Sequence, residues 1–164
     1  NDDIEKVFEG LSHPDVIKYY GVSYNSLEAT KAQMEFFADL EKNKTGMWWA
    51  ICNPDNSVFY GASGLNSLSQ QHKKAEIGFW LLPAYWGQGI ITEAVPLVCD
   101  FGFNKLGLHR IEAIIETDNK NSKNVMSKLN FRHEGTMIEC EVKNSKFISL
   151  DIYAKLNINP ALTL

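Results

Sequence analysis

Gly87 and Gly89 lie two apart in residues 75–94, AEIGFWLLPAYWGQGIITEA, the stretch best equipped for chemistry. An apolar run meets a turn there, and a polar helix start follows. That order can hold an anion. A helix beginning where a strand stops leaves backbone N–H groups without partners and carries a partial positive charge. Glycines let a bulky phosphate approach the main chain without meeting a Cβ. On this stretch alone the alternative stays open that the two glycines only shape a loop. A dinucleotide reading is poor, since the third position of G-x-G-x-x-G falls on Thr92. No acidic residue closes a second strand at the required distance, and no G-x-x-x-x-G-K-[ST] occurs.

Other reactive side chains offer less. Cys52, Cys99 and Cys140 are odd in number and lack C-x-x-C spacing, which points to reduced thiols. Cys99 sits among apolar residues with no histidine beside it, a poor setting for a nucleophile. No histidine–carboxylate spacing suggests a metal site. Trp48, Trp49 and Phe79 read better as packed core than as a pocket wall.

The elements that position the glycine turn follow from periodicity. The opening residues, NDDIEKVFEGL, read as helix, and Ser12 is the expected N-cap of a second helix with Pro14 and Asp15 in its first turn. Ser26 caps a third, in which Leu27, Thr30, Met34 and Phe37 share a face beside Gln33, Phe36 and Leu40. From Met47 the pattern changes to strands at 47–52 and 57–65, joined by the turn Asn53-Pro54-Asp55-Asn56. Residues 66–74 read as a polar connector. The strand at 75–82 is apolar on both faces except at Glu76, so it belongs in the sheet centre, and Pro83 ends it. A helix follows at 91–106. Pro96 there requires either a start near Thr92 or Glu93 or a distorted first turn, and Gly107 stops it. Residues 110–117 alternate as a strand, completing a crossover unit whose two strands are parallel. A short helix at 119–129 ends on Asn130, and strands at 136–142 and 147–155 flank Lys143-Asn144-Ser145. Residues 158–164 have little to anchor them.

At 164 residues the chain is expected to form a single domain over 1–164, with 45% hydrophobic and 22% charged residues. No run approaches the roughly 18 apolar residues of a membrane span, and no basic-then-apolar leader appears, so the expectation is a cytoplasmic protein with no membrane partner. A net charge of −4 argues against a nucleic-acid partner.

Residues 75–94 resemble the acetyl-CoA-binding motif of the GNAT acyltransferase superfamily, and most of all its RimJ/RimL branch, which acetylates ribosomal-protein N-termini. The likeness continues through FGFNKLGLHRIEAIIETDNKNSKNVMSKLNFRHEGT and spans roughly residues 4–156. It implies an α/β (mixed α+β) fold with a central mixed, mostly antiparallel sheet. That sheet splays between two parallel central strands and is flanked by helices. Acetyl-CoA, the implied co-substrate, lies in the cleft, and no metal takes part. The pyrophosphate loop falls on Trp86, Gly87, Gln88, Gly89, Ile90 and Ile91, with Thr92 next. Ile91 stands where many members have Gly or Ala, and Trp86 where many have Gln or Arg. The main chain of Trp80, Leu81 and Leu82 pairs with the pantetheine arm. Asn119 and Ser122 occupy the N-x-x-S positions beside the cofactor.

The implied reaction is direct attack of an amine on the thioester in a ternary complex. A fixed N–H near Leu81 could serve the oxyanion, where such a donor is worth about 3 kcal/mol. Many relatives protonate the leaving sulfur with a tyrosine. The matching residue here is Met126, so Ser122 is the candidate, against a plain reading in which it only satisfies backbone. Two acids compete as general base, Glu141 slightly ahead of Glu76, unless water conducts the proton. An α-amine has a pKa near 8 against about 10.4 for lysine, so its neutral fraction at pH 7 is roughly a hundredfold larger. Modest acid–base equipment therefore favours the N-terminal α-amine of a protein or peptide. A small amine, polyamine or antibiotic acceptor is the alternative, and a non-catalytic acyl-CoA-binding module a further one. The assembly is expected to be a monomer or homodimer.

Overall fold

A computed structural model describes residues 3–158 of the protein; the expectation for the tail beyond Ile158 lies outside the described residues. The chain runs α1 (Ile4–Leu11), α2 (Pro14–Ile17), α3 (Leu27–Lys42), β1 (Met47–Cys52), β2 (Phe59–Ser69), β3 (Lys74–Leu81), α4 (Ile90–Asn104), β4 (Arg110–Glu116), α5 (Lys120–Lys128), β5 (Arg132–Lys143) and β6 (Lys146–Leu156). The strands form one sheet in the order β1-β2-β3-β4-β6-β5. β3 and β4 are its parallel pair, as the crossover implies, and every other pairing is antiparallel.

That parallel pairing is brief. It joins Lys74 to Arg110, Ala75 to Ile111 and Glu76 to Glu112, and then stops. Beyond it β3 stays with β2 as far as Leu81, while β4 stays with β6 as far as Glu116. The two halves of the sheet therefore part at Glu76 and Glu112. Apolar burial on both faces holds the halves in place. Ile77, Leu81, Ile111 and Ala113 pack with Val95 and Cys99 of α4 and Met126 of α5. Trp80 and Leu82 pack on the opposite face with Val7 and Leu11 of α1 and Phe37 of α3. Trp48 and Trp49 belong to this packing: Trp48 stacks on Phe37 at 5.3 Å and Trp49 meets Phe101 edge-on at 5.2 Å.

Several boundaries differ from expectation, each for a local reason. The N-cap of α2 is His13, whose Nδ1 accepts from the Asp15 N–H at 3.3 Å, while Ser12 closes α1. Ser26 does cap α3, through the Ala29 N–H at 3.1 Å. The inward face of α3 is more polar than its pattern suggests. Thr30 and Gln33 are buried because Ser26 and Tyr24 supply hydrogen-bond partners, while Leu27 and Phe36 are exposed. The connector expected at 66–74 is mostly strand, since a bulge with Ser67 at φ 51° carries β2 on to Ser69. α4 starts at Ile90, ahead of Thr92, and takes Pro96 within it. The buried residues Ile91, Val95, Val98 and Cys99 around that proline offset the lost backbone bond. β5 and β6 are longer than their alternation implies, because two irregularities in β5 shift its register against β6. Asn144 and Ser145, both at positive φ, form the tight turn between them.

Candidate functional site

The turn after β3 is braced from behind. The Leu82 N–H donates to the Tyr60 carbonyl at 2.9 Å, and the Leu82 carbonyl accepts from the Tyr85 N–H at 3.0 Å. The Trp86 indole N–H folds back to the Leu81 carbonyl at 2.9 Å, and the Gln88 amide folds back to the Ala84 carbonyl at 2.9 Å. Gly87 at φ +73° and Gly89 at φ +84° make the reversal, and Gly89 is the N-cap of α4. The Thr92 hydroxyl donates to the Gly89 carbonyl at 2.5 Å. With side chains and carbonyls occupied in this way, the backbone N–H groups from Gly87 to Thr92 have no partner among the described residues. They stand at the positive end of α4, and the space beside Gly87 is open, since a Cβ there would meet nothing within 4 Å. Ile91 is only 8% exposed and lies in the α4 core, so its bulk points away from the mouth of the loop.

Backbone alternation decides which part of β3 faces the cleft. Leu82 bonds to Tyr60 and Gly61 stands opposite Leu81, so Leu82 and Trp80 direct their main-chain groups toward β2. Phe79 and Leu81 direct theirs toward the parting of the sheet. Of the three residues expected to pair with a pantetheine arm, only Leu81 has cleft-facing main chain, and its carbonyl already accepts from Trp86. Trp80 turns its ring into the α1–α3 core, where its indole N–H is buried without a partner among the described residues.

The second wall is the start of α5. Asn119 is its N-cap, with Oδ1 accepting from the Ser122 N–H at 3.1 Å. The Ser122 hydroxyl itself has no hydrogen-bond partner among the described residues. Met126, one turn further on, is fully buried and carries no proton to donate.

Glu76 stands on the last rung before the sheet parts, on the face turned toward α1. It is half-buried, and its carboxylate has no hydrogen-bond partner among the described residues. Burial first, then the charges of Glu112 and Glu141, raise its pKa above the ordinary glutamate value, with Lys74 opposing them. Glu141, exposed on β5, is thus brought within electrostatic reach of Glu76, which the 65 positions between them in sequence do not suggest. Glu112 behaves differently. Burial disfavours its charge, but the Arg110 guanidinium at 2.6 Å and Lys74 at 3.2 Å outweigh that and hold its carboxyl below the usual range. Glu112 is therefore engaged structurally, and Glu76 is left free to take a proton.

Two features of the site have no signal in the sequence. One is the Trp86 brace. The other is Lys143, whose ammonium reaches both Glu116 and the Lys18 carbonyl and so ties the β5–β6 hairpin to the segment after α2. Burial pushes the Cys99 thiol up to about 11, which suits a packing role. Among the described residues no group of three or more His, Cys, Asp or Glu side chains is placed to hold a metal ion, and no helix is long and apolar enough to cross a membrane.

Comparison with known proteins agrees with this geometry. Residues 1–132 match the family model described as an acetyltransferase (GNAT) domain. YoaA of Bacillus subtilis, an uncharacterized N-acetyltransferase, is 32% identical over 155 residues, covering 94% of this chain and 88% of its own length. The spermidine N-acetyltransferase of Vibrio cholerae, solved with CoA and spermine, superposes with a TM-score of 0.84 at 16% identity, covering 95% of this chain and 90% of that one. The ribosomal-protein-S5-alanine acetyltransferase of Vibrio fischeri superposes with a TM-score of 0.85 at 19% identity, covering 97% and 90%. The chain is a member of the GNAT family and an acyltransferase.

Proposed function

We propose that the protein is an acetyl-CoA-dependent N-acetyltransferase of the RimJ/RimL type, acting in the cytoplasm on the N-terminal α-amine of a protein or peptide. The observation that carries this reading is Glu76: a half-buried carboxyl without a hydrogen-bond partner among the described residues, at the point where the sheet opens, with a raised pKa. A carboxylate so tuned is a competent base for an amine that is already partly neutral, and a poor one for a lysine near 10.4. The pyrophosphate of acetyl-CoA lies on the N–H groups from Gly87 to Thr92, with Asn119 and Ser122 across the cleft and the pantetheine arm beside Leu81. The amine nitrogen attacks the thioester carbon and gives its proton to Glu76, directly or through water. A cleft-facing N–H of β3 receives the oxyanion, the carbon–sulfur bond breaks, and the departing thiolate takes a proton through the Ser122 hydroxyl, which is reprotonated by water as Glu76 returns its proton to water. Glu141 is then the outer carboxylate that draws in the cationic acceptor, a change of order from the sequence reading. Reduced Cys52, Cys99 and Cys140 fit a reducing compartment.

A linear polyamine is the second reading. Glu76 and Glu141 on one face could hold two ammonium groups, and a spermidine acetyltransferase is among the structural neighbours. Release of free CoA, measured with peptides beginning in Ser or Ala and in parallel with spermidine and free lysine, tests both. Turnover of peptides alone supports the first reading. Turnover of spermidine with none of peptides selects the second, and no release with any amine removes both.

A further inference from the structure

Ser122 is useful only if α5 sits at the right height against the cleft, yet α5 has just nine residues and few apolar anchors. Two side chains of β6 hold it at opposite ends. Near its start Lys123 donates to Asp151 Oδ2 at 3.0 Å, and beyond its end the Leu129 carbonyl accepts from Lys155 Nζ at 2.9 Å. Asp151, Tyr153 and Lys155 alternate along β6, so all three project from the face that meets α5.

Asp151 is unusual in this arrangement. It is a charged residue only 5% exposed, and a buried carboxylate costs free energy unless its oxygens are satisfied. They are. Oδ1 accepts from the Thr136 hydroxyl at 2.5 Å and faces His133 Nε2 at 3.2 Å, while Oδ2 takes Lys123. Thr136 and His133 belong to β5, so one carboxylate joins both strands of the hairpin to the first turn of α5. An ammonium so close to a helix N-terminus is disfavoured by the helix dipole, and the Asp151 charge offsets this. Lys123 follows Ser122 directly, so fixing one fixes the main chain that carries the other.

We propose that Asp151 is a positioning residue for acetyl transfer: through Lys123 it sets the first turn of α5 and so holds the Ser122 hydroxyl where the departing sulfur needs it. This rests on the role given to Ser122 above. Misplacement of a proton donor by a fraction of an ångström slows the chemical step without weakening cofactor binding, so the two are measured separately.

The test is a double-mutant comparison on the full chain. Asp151→Asn keeps the size and loses the charge; it should lower kcat about tenfold while the acetyl-CoA Kd, by calorimetry, stays within about twofold. Lys123→Met should do the same from the helix side and carries the comparison if the aspartate variant fails to fold. Lys123→Arg, which keeps the ion pair, should recover kcat to within about threefold of the parent. Ser122→Ala should lower kcat, and adding Asp151→Asn to it should cost nothing further. Losses that multiply in the double variant, or Asp151→Asn turning over at the parental rate, overturn the proposal while leaving Ser122 in its role. A Ser122→Ala enzyme at the parental rate removes the role of Ser122 and the proposal with it.

Discussion

Gly89, held at φ +84°, is the residue on which the loop proposed to hold phosphate turns. A side chain there is strained whatever space surrounds it, and an alanine should cost roughly 1 kcal/mol. A tryptophan also fills the space in front of the free amides. Gly89→Trp is expected to abolish acetyl-CoA binding by calorimetry, and unchanged affinity would disprove the loop assignment. Glu76 carries a second prediction with two signs. Its pKa is raised by burial and by Glu112 and Glu141, so native stability from this group is present at low pH and is lost as pH rises through that value. Glu76→Gln removes the ionised group and should raise the melting temperature at pH 8 while lowering kcat by about a hundredfold. The parental kcat/KM should climb as the Glu76 carboxylate forms, and the substituted enzyme should lose that lower limb. A drop in both melting temperature and kcat would mean that Glu76 is structural.

At the scale of elements, the contact of α1 with the sheet is closer than its sequence suggests. A Cβ on Gly10 would collide with Trp80 Cζ3, so the helix packs directly on the indole. Alanine would gain up to about 1 kcal/mol of helix propensity at this position. It would also force apart a buried aromatic contact, at about 1–3 kcal/mol. The second effect is the larger, so Gly10→Ala should lower the denaturant midpoint, and a more stable variant would refute the close packing. Much of this level was legible in the sequence. The Ser26 cap, the Asn53–Asn56 turn, the crossover and the Asn130 end of α5 all follow from neighbouring residues. The extent of β2 and β5 did not, because bulges interrupt the alternation by which strands are read. Nor did the polar inward face of α3, which depends on Tyr24 arriving from outside the helix to meet Gln33 at 3.0 Å.

For the whole molecule, the cleft divides a sheet whose two halves share three rungs, from Lys74–Arg110 to Glu76–Glu112. A ligand touching both the β3–α4 turn and the start of α5 bridges those halves. Acetyl-CoA at about a hundredfold excess over its Kd should stabilise the fold by about 2.7 kcal/mol, read as a rise of about 5–10 °C in melting temperature. The Gly89→Trp variant should show no such rise, and an equal rise would place the ligand elsewhere.

By itself the sequence determined the local pattern: an apolar strand, a glycine reversal and a helix start, all contiguous, because a turn that leaves backbone amides unpaired needs only neighbouring residues. The family pattern in residues 75–94 and 119–122 has the same basis. Only the tertiary structure decided where the sheet parts, since that depends on which strand β4 prefers as its neighbour. It also decided that Glu76 and Glu141 share one face, that Glu112 is neutralised by Arg110 and Lys74, and that Trp86 braces the loop from behind. The charge state of a carboxyl depends on burial and on charges reached through space, and a sequence lists neither.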